Sequence, residues 1–77
     1  MVVIDSVQDP GNVGAIVRTA AAAGFEAVVT SPGTADLLSP RSIRASAGNL
    51  FSMQFARNIN LESFIAALLG EIGRAHV

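Results

Sequence analysis

Apolar residues fall into short runs separated by segments of helical spacing. The β-branched run Val2–Ile4 shows no alternation and is followed by turn residues up to Asn12, which predicts a strand buried on both faces. The spacing then becomes helical, and four apolar residues share one stripe: Val13, Ile16, Val17 and Ala20. Asn12 is placed to cap this helix and Gly24 to end it.

The next segment repeats this order. Ala27–Val29 predicts a second buried strand, and the loop Ser31–Gly33 follows it. Ser39 followed by Pro40 is typical of a helix cap and a first helical residue. We therefore expect a second, short helix, which Gly48 can end.

The last segment predicts a third strand and a third helix. Alternating apolar residues indicate one buried strand face, which favours core positions over base stacking for three residues: Phe51, Met53 and Phe55. Asn60 is placed to cap the last helix, whose expected buried side comprises Leu61, Phe64, Ile65 and Leu68. The order β-α-β-α-β-α predicts an α/β domain with three layers and a parallel sheet joined by right-handed crossovers.

Composition narrows the possible functions. The chain has 77 residues, of which 51% are hydrophobic and 14% charged, so it should fold rather than remain disordered. It has no cysteine, which excludes thiolate metal sites. Its net charge is -1, so any RNA or phosphate site must depend on a local cluster of basic residues. Asp5 and Asp9 give no metal-like geometry. No apolar run approaches the ~20 residues that cross a membrane, and we expect a cytoplasmic location without a membrane partner.

The segment from Asp9 to Ala20 carries the candidate chemistry. It runs from a strand end through a turn into a helix, where the ligands of open α/β sheets collect and helix N–H groups attract phosphate. Arg18 lies one turn after Gly14, so we expect its side chain to converge with Asn12 on one ligand. The absence of a side chain at Gly14 would let a polynucleotide backbone approach. The spacing alone leaves a second interpretation open, in which Asp9–Asn12 is an ordinary turn and Arg18 is a solvated surface residue.

Two sequence motifs resemble those of one enzyme family. The residues Asp9-Pro10-x-Asn12-x-Gly14-Ala15-Ile16-x-Arg18-Thr19-Ala20, and later Arg44-Ala45-Ser46-Ala47-Gly48, resemble the SpoU (TrmH-like) family of RNA ribose 2'-O-methyltransferases in the SPOUT superfamily. The resemblance runs from about Val2 to Phe55. It implies an S-adenosylmethionine-dependent enzyme with a trefoil-knotted α/β fold, acting as a homodimer on tRNA or rRNA.

The resemblance also implies roles for individual residues. Asn12 matches the family's motif 1 asparagine in the catalytic pocket, and Arg18 matches the motif 1 arginine that acts on the ribose 2'-hydroxyl. Because a guanidinium does not give up its proton, we expect Arg18 to bind the phosphate beside the target ribose and to stabilise developing negative charge. Arg41 and Arg44 share a helix face and predict a small basic patch for the RNA backbone, although a solvated helix face remains open.

The sequence departs from the family after these motifs. The Gly-x-Glu and Ser-Leu-Asn segments, which in the family form the knot and the cofactor pocket, have no counterpart, so we assign no cofactor-binding residue. We predict a partial methyltransferase domain over residues 1–70 with the knot absent. Residues 71–77 match the translation of a common sequencing adapter and are interpreted as a non-native tail, the alternative being a genuine helix end. The alternative functions are a non-enzymatic α/β module that binds RNA or nucleotides, and a fragment without its own activity.

Overall fold

A computed structural model describes the backbone of residues 1–75 and the side chains of residues 1–70. His76 and Val77, the end of the predicted non-native tail, lie outside the described residues. Within this range, strands and helices alternate, with one 3-10 turn before the last strand: β1 (Val2–Ile4), α1 (Pro10–Ala22), β2 (Ala27–Thr30), α2 (Pro40–Ala45), the 3-10 turn (Asn49–Ser52), β3 (Gln54–Ala56) and α3 (Leu61–Ala75). The order agrees with the sequence prediction.

The strands form a parallel sheet in the order β1-β2-β3. Val2 lies opposite Val28, and Val28 lies opposite Phe55, so these three side chains share one face. Each crossover between neighbouring strands contains a helix, as parallel pairing requires. The predicted α/β class with a parallel sheet is confirmed.

The hydrophobic core lies on the face of the sheet that α1 covers. Three of the four residues predicted on the apolar stripe of α1 are buried in it, and Ile16 packs at its margin. Its members are Ile4, Val13, Val17, Ala20, Val28, Leu37, Leu50 and Met53. The apolar spacing along α1 therefore predicted which side of the helix faces the sheet.

Helix α1 begins earlier than the sequence suggested. Its cap is Asp9, whose carboxylate oxygen Oδ1 accepts a hydrogen bond from the backbone N–H of Gly11 at 3.0 Å. Pro10 is the first helical residue, a position where its missing N–H costs no hydrogen bond. The prediction that Asn12 caps this helix was wrong, and Asn12 instead lies in the first turn.

The third strand begins later than its alternation suggested. Gly48, with φ of 77°, starts the 3-10 turn, so the chain is still winding at Phe51. Met53 is buried, but Phe51 is 68% exposed and Phe55, on an edge strand, is 39% exposed. The prediction that both rings belong to the core was therefore wrong.

Helix α3 covers less of the sheet than predicted. Asn60 caps it as expected, since its Oδ1 accepts a hydrogen bond from the N–H of Ser63 at 3.2 Å. Phe64 is half-buried and borders the second face of the sheet, but Ile65 and Leu68 are 50% and 40% exposed. Their predicted burial was wrong, because the helix contacts the sheet near its start and residues 65–70 face solvent.

Candidate functional site

Helices α1 and α2 approach each other most closely at Gly14. A Cβ atom added there would lie 2.6 Å from the Cβ of Ala45 and 2.9 Å from the backbone nitrogen of Ser46, both distances that real side chains do not adopt. Only glycine therefore allows this packing. The prediction that Gly14 leaves room for a polynucleotide backbone was wrong, because α2 occupies that space.

A hydrogen bond and an ion pair join the first turns of the two helices. The hydroxyl of Ser42 donates to the backbone oxygen of Pro10 at 3.1 Å. The Arg41 guanidinium lies 3.5 Å from Oδ1 of Asp9, and the two side chains are 69% and 50% exposed. A surface ion pair of this kind contributes little to stability, but it places Arg41 beside the first turn of α1. The two helices therefore run side by side from neighbouring starting points.

Arg18 emerges where α2 ends. Gly11, Gly14 and Arg18 follow one stripe of α1, because residues three and four apart share a helix face. A Cβ atom added at Gly11 would lie 3.8 Å from the Arg41 guanidinium. A Cβ atom added at Gly14 would instead contact the last turn of α2. The next position along this stripe is Arg18, which is exposed, as is Arg44 in the last turn of α2.

We use the term arginine seam for the three exposed arginines that α1 and α2 carry, Arg18, Arg41 and Arg44. The charged residues of these two helices are these arginines alone. The seam therefore presents three positive charges on a fixed helix pair, with Asp9 paired to one of them. Arg41 and Arg44, from which a basic patch was predicted, are both exposed, and so is Arg18.

Asn12 lies on a different face of α1. Six residues separate it from Arg18, which corresponds to about 600° of helical rotation, so the side chains emerge about 120° apart and about 9 Å apart along the axis. Asn12 lines a cavity of about 620 Å³ whose other lining residues are mostly apolar: Val2, Val7, Ala15, Ile16, Thr19, Ala20, Ala23 and Phe25. The structure does not bring Asn12 and Arg18 together on one face.

A second, polar cavity, which the sequence analysis did not predict, lies at the carboxyl ends of β2 and β3. Its volume is about 150 Å³, and its lining residues are Thr30, Thr34, Asp36, Arg57 and Asn58. The Arg57 guanidinium donates to Oδ1 of Asp36 at 2.9 Å. Hydrogen bonds from the backbone N–H of Leu38 and from Arg57 lower the pKa of Asp36. Polar residues directly after each strand were the available signal for this site.

Over the part of the chain that the structure describes, there is no cluster of three or more metal-binding side chains. No helix in that part is long and apolar enough to cross a membrane.

Solved methyltransferase structures share this parallel α/β fold. The SpoU methyltransferase AviRb from Streptomyces viridochromogenes, in complex with the cofactor AdoMet, superposes with a TM-score of 0.77 at 32% identity, over 94% of this chain and 29% of that one. A putative RNA methyltransferase of the TrmH family from Porphyromonas gingivalis gives a TM-score of 0.83 at 38% identity, over 91% of this chain and 28% of that one.

Sequence comparison identifies the family. The model of the SpoU rRNA Methylase family matches residues 1–75, and the chain belongs to this family. It is 44% identical over 71 residues to the 23S rRNA (guanosine(2553)-2'-O)-methyltransferase RlmP of Bacillus subtilis, covering 92% of this chain and 28% of that protein. It is 36% identical over 63 residues to the human mitochondrial rRNA methyltransferase 3, covering 82% of this chain and 15% of that protein. The chain thus spans less than a third of these relatives.

Proposed function

We propose that this chain is part of an RNA ribose 2'-O-methyltransferase acting on tRNA or rRNA, with the arginine seam as its RNA-facing surface. The observation that carries the proposal is the position of Arg18, which is exposed and lies one turn after Gly14, where α1 and α2 are in contact. The relatives named above are rRNA methyltransferases, which supports this substrate class. We further propose a cytoplasmic homodimer.

In this proposal Arg18 binds the RNA phosphate next to the target ribose. The guanidinium can hold a phosphate through two parallel hydrogen bonds, which fixes the adjacent 2'-hydroxyl in orientation. Its positive charge stabilises the negative charge that develops on the 2'-oxygen during transfer. Asn12, assigned to the same catalytic pocket, can contact the RNA only at a separate point, because it emerges from another face of α1.

The methyl donor in this proposal is S-adenosylmethionine, the cofactor in the AviRb complex. The two cavities described above do not fit it. The larger offers Asn12 and Thr19 as its only polar side chains, too few for a ribose, an adenine and a charged amino-acid group. The smaller, at about 150 Å³, is below the roughly 300–1,000 Å³ of typical ligand pockets. We therefore assign no cofactor-binding residue among those described.

The 77-residue chain alone is expected to bind S-adenosylmethionine weakly or not at all, and not to methylate RNA. The reason is the poor fit of both cavities. Isothermal titration with S-adenosylmethionine measures the binding, and the Bacillus subtilis relative serves as the positive control. Micromolar binding, or transfer of labelled methyl to RNA, would show that the chain holds a complete site.

A chimaera tests the proposed function. Residues 1–70 replace the corresponding segment of the Bacillus subtilis relative, and transfer of labelled methyl to rRNA is measured, with digestion to nucleosides to locate the label. We expect 2'-O-methylated product. A folded chimaera that binds the cofactor and RNA yet transfers no methyl would refute the proposal and favour the alternative, a non-enzymatic RNA-binding module.

Arg44→Ala should weaken RNA binding modestly and make it less dependent on salt. Loss of one phosphate contact lowers the slope of log affinity against log salt by about 0.7–0.9. The measurement is binding of an RNA oligonucleotide at several salt concentrations. Arg57→Ala is the matched control, because Arg57 pairs with Asp36 at the polar cavity. An equal loss of slope in both variants would show that the effect is not specific to the arginine seam.

A further inference from the structure

One acidic residue, Asp9, contacts the arginine seam. Its carboxylate oxygen Oδ1 lies 3.5 Å from the Arg41 guanidinium and also accepts the hydrogen bond from the N–H of Gly11 that caps α1. Among the side chains that the structure describes, Arg18 and Arg44 form no ion pair. The three arginines of the seam therefore differ, because only Arg41 has a carboxylate beside it.

Hydrogen bonds hold both partners of this ion pair near each other. The capping bond from Gly11 fixes the Asp9 carboxylate over the first turn of α1. Arg41 directly precedes Ser42, which is 1% exposed and donates to the backbone oxygen of Pro10 at 3.1 Å. The start of α2 is thus tied to the start of α1, so the backbone keeps the two charged side chains within reach of each other.

The ion pair leaves Arg41 little attraction for a phosphate. A phosphate that contacted this guanidinium would come within the Debye length, about 8 Å at physiological ionic strength, of the Asp9 carboxylate, so like-charge repulsion would oppose the contact. An arginine that already neutralises a carboxylate also adds no net charge with which to neutralise a phosphate. Arg18 lies nine residues after Asp9, roughly 13 Å along the helix axis, where the carboxylate acts much less.

We infer that Asp9 keeps Arg41 from binding the RNA backbone, so that the phosphates bind at Arg18 and Arg44 instead. Asp9 thereby determines which part of the seam the backbone contacts, and it does so by repulsion. The inference rests on the proposed function and deepens it, because it states which arginines of the seam contact the substrate. It also differs from the sequence-based expectation that Arg41 and Arg44 act together as one basic patch.

Asp9→Asn tests the inference as a gain of RNA binding. Asparagine caps a helix about as well as aspartate, so the substitution removes the charge and keeps the cap. We expect this variant of the full chain to bind a single-stranded RNA oligonucleotide about two- to fivefold more tightly, the effect of one exposed ion pair. The slope of log affinity against log salt should steepen by about 0.7, the value for one further phosphate contact. The measurement is fluorescence anisotropy of labelled RNA at several salt concentrations, with circular dichroism to check the fold.

Asp36→Asn is the matched control. It makes the same change to the net charge and also removes the carboxylate of an ion pair with an arginine, but at the polar cavity and not at the seam. We expect its RNA affinity and its salt slope to stay near those of the parent chain. An equal gain in both variants would assign the effect to net charge and overturn the inference.

The double variant Asp9→Asn with Arg41→Ala completes the test. It removes both charges of the pair, so it should lose the gain of the single variant and match the parent in affinity and in salt slope. A double variant that binds RNA with a clearly lower slope than the parent would show that Arg41 already contacts a phosphate there. That result overturns the inference, as does an Asp9→Asn variant that gives no gain.

The chimaera described above reports on methyl transfer separately. An Arg41-dependent gain in Asp9→Asn together with an inactive chimaera means that only the enzymatic function fails. An active chimaera together with an Asp9→Asn variant that gives no gain means that only the inference fails. A chain that binds no RNA in any of these variants also overturns the inference, since it assigns the phosphate contacts to this chain.

Discussion

Arg18→Ala, introduced into the chimaera, should lower the rate of methyl transfer by about 10²–10³-fold, the usual effect of removing one preorganised donor to a developing negative charge. Arg18 is exposed and its helix neighbours are small, so its loss should leave the fold intact. The measurement is the single-turnover rate of labelled methyl transfer at saturating RNA, which separates the chemical step from binding.

Two further variants sharpen this experiment. Arg18→Lys keeps the charge but loses the planar, two-point contact with phosphate, so it should recover only part of the rate. Arg57→Ala removes a guanidinium from the polar cavity and should leave the rate near that of the parent. Near-normal turnover in Arg18→Ala, with circular dichroism unchanged, would exclude the proposed role of this residue.

Gly14→Ala should destabilise the chain strongly. The added methyl group would lie 2.6 Å from the Cβ of Ala45, so α2 must move or the helices must separate. Overpacking costs about 1–3 kcal/mol and occasionally more. This exceeds the gain of about 1 kcal/mol that alanine brings to a helix interior. Urea unfolding followed by circular dichroism measures the change in the free energy of unfolding.

Gly11→Ala is the matched control for this substitution. It makes the same chemical change three residues earlier on the same stripe, but its nearest neighbour would be Oδ1 of Asp9 at 3.5 Å, an ordinary contact. Its effect on stability should be within about 0.5 kcal/mol. Equal stability of the two variants would show that α1 and α2 do not pack at Gly14 in solution.

The sequence predicted best those elements whose pattern of apolar residues has a single physical explanation, such as burial in the sheet. Ala27–Val29 lacks alternation because β2 is the central strand, and Val28 and Val29 are both buried. The same prediction for Val2–Ile4 was wrong on one face, because β1 is an edge strand and Val3 is 44% exposed. The start of α1 was harder to predict because two good caps, Asp9 and Asn12, lie on either side of Pro10. Pro10 favours Asp9 as the cap, because proline is over-represented at the first helical position, where its fixed φ already suits the helix.

The candidate site depended on contacts that a sequence does not show. The pattern around Gly14 revealed a missing side chain, but not that the backbone of α2 occupies the space. Phe51 looked like a strand residue because its spacing from Met53 is that of one strand face. Gly48, with its positive φ, starts the 3-10 turn, so the chain is still turning at Phe51. Neither the presence of a glycine nor the alternation of apolar residues specifies the φ of Gly48.

The exposed side of α3 has a thermodynamic consequence. Ile65, Leu68 and Leu69 are already 40–62% exposed in the folded chain, so unfolding transfers little additional apolar surface from them to water. The heat capacity of unfolding grows with the apolar surface newly exposed, at about 12–15 cal/mol/K per residue in ordinary domains. This chain should fall below that range. The free energy of unfolding should therefore curve less with temperature than that of an ordinary domain of this size.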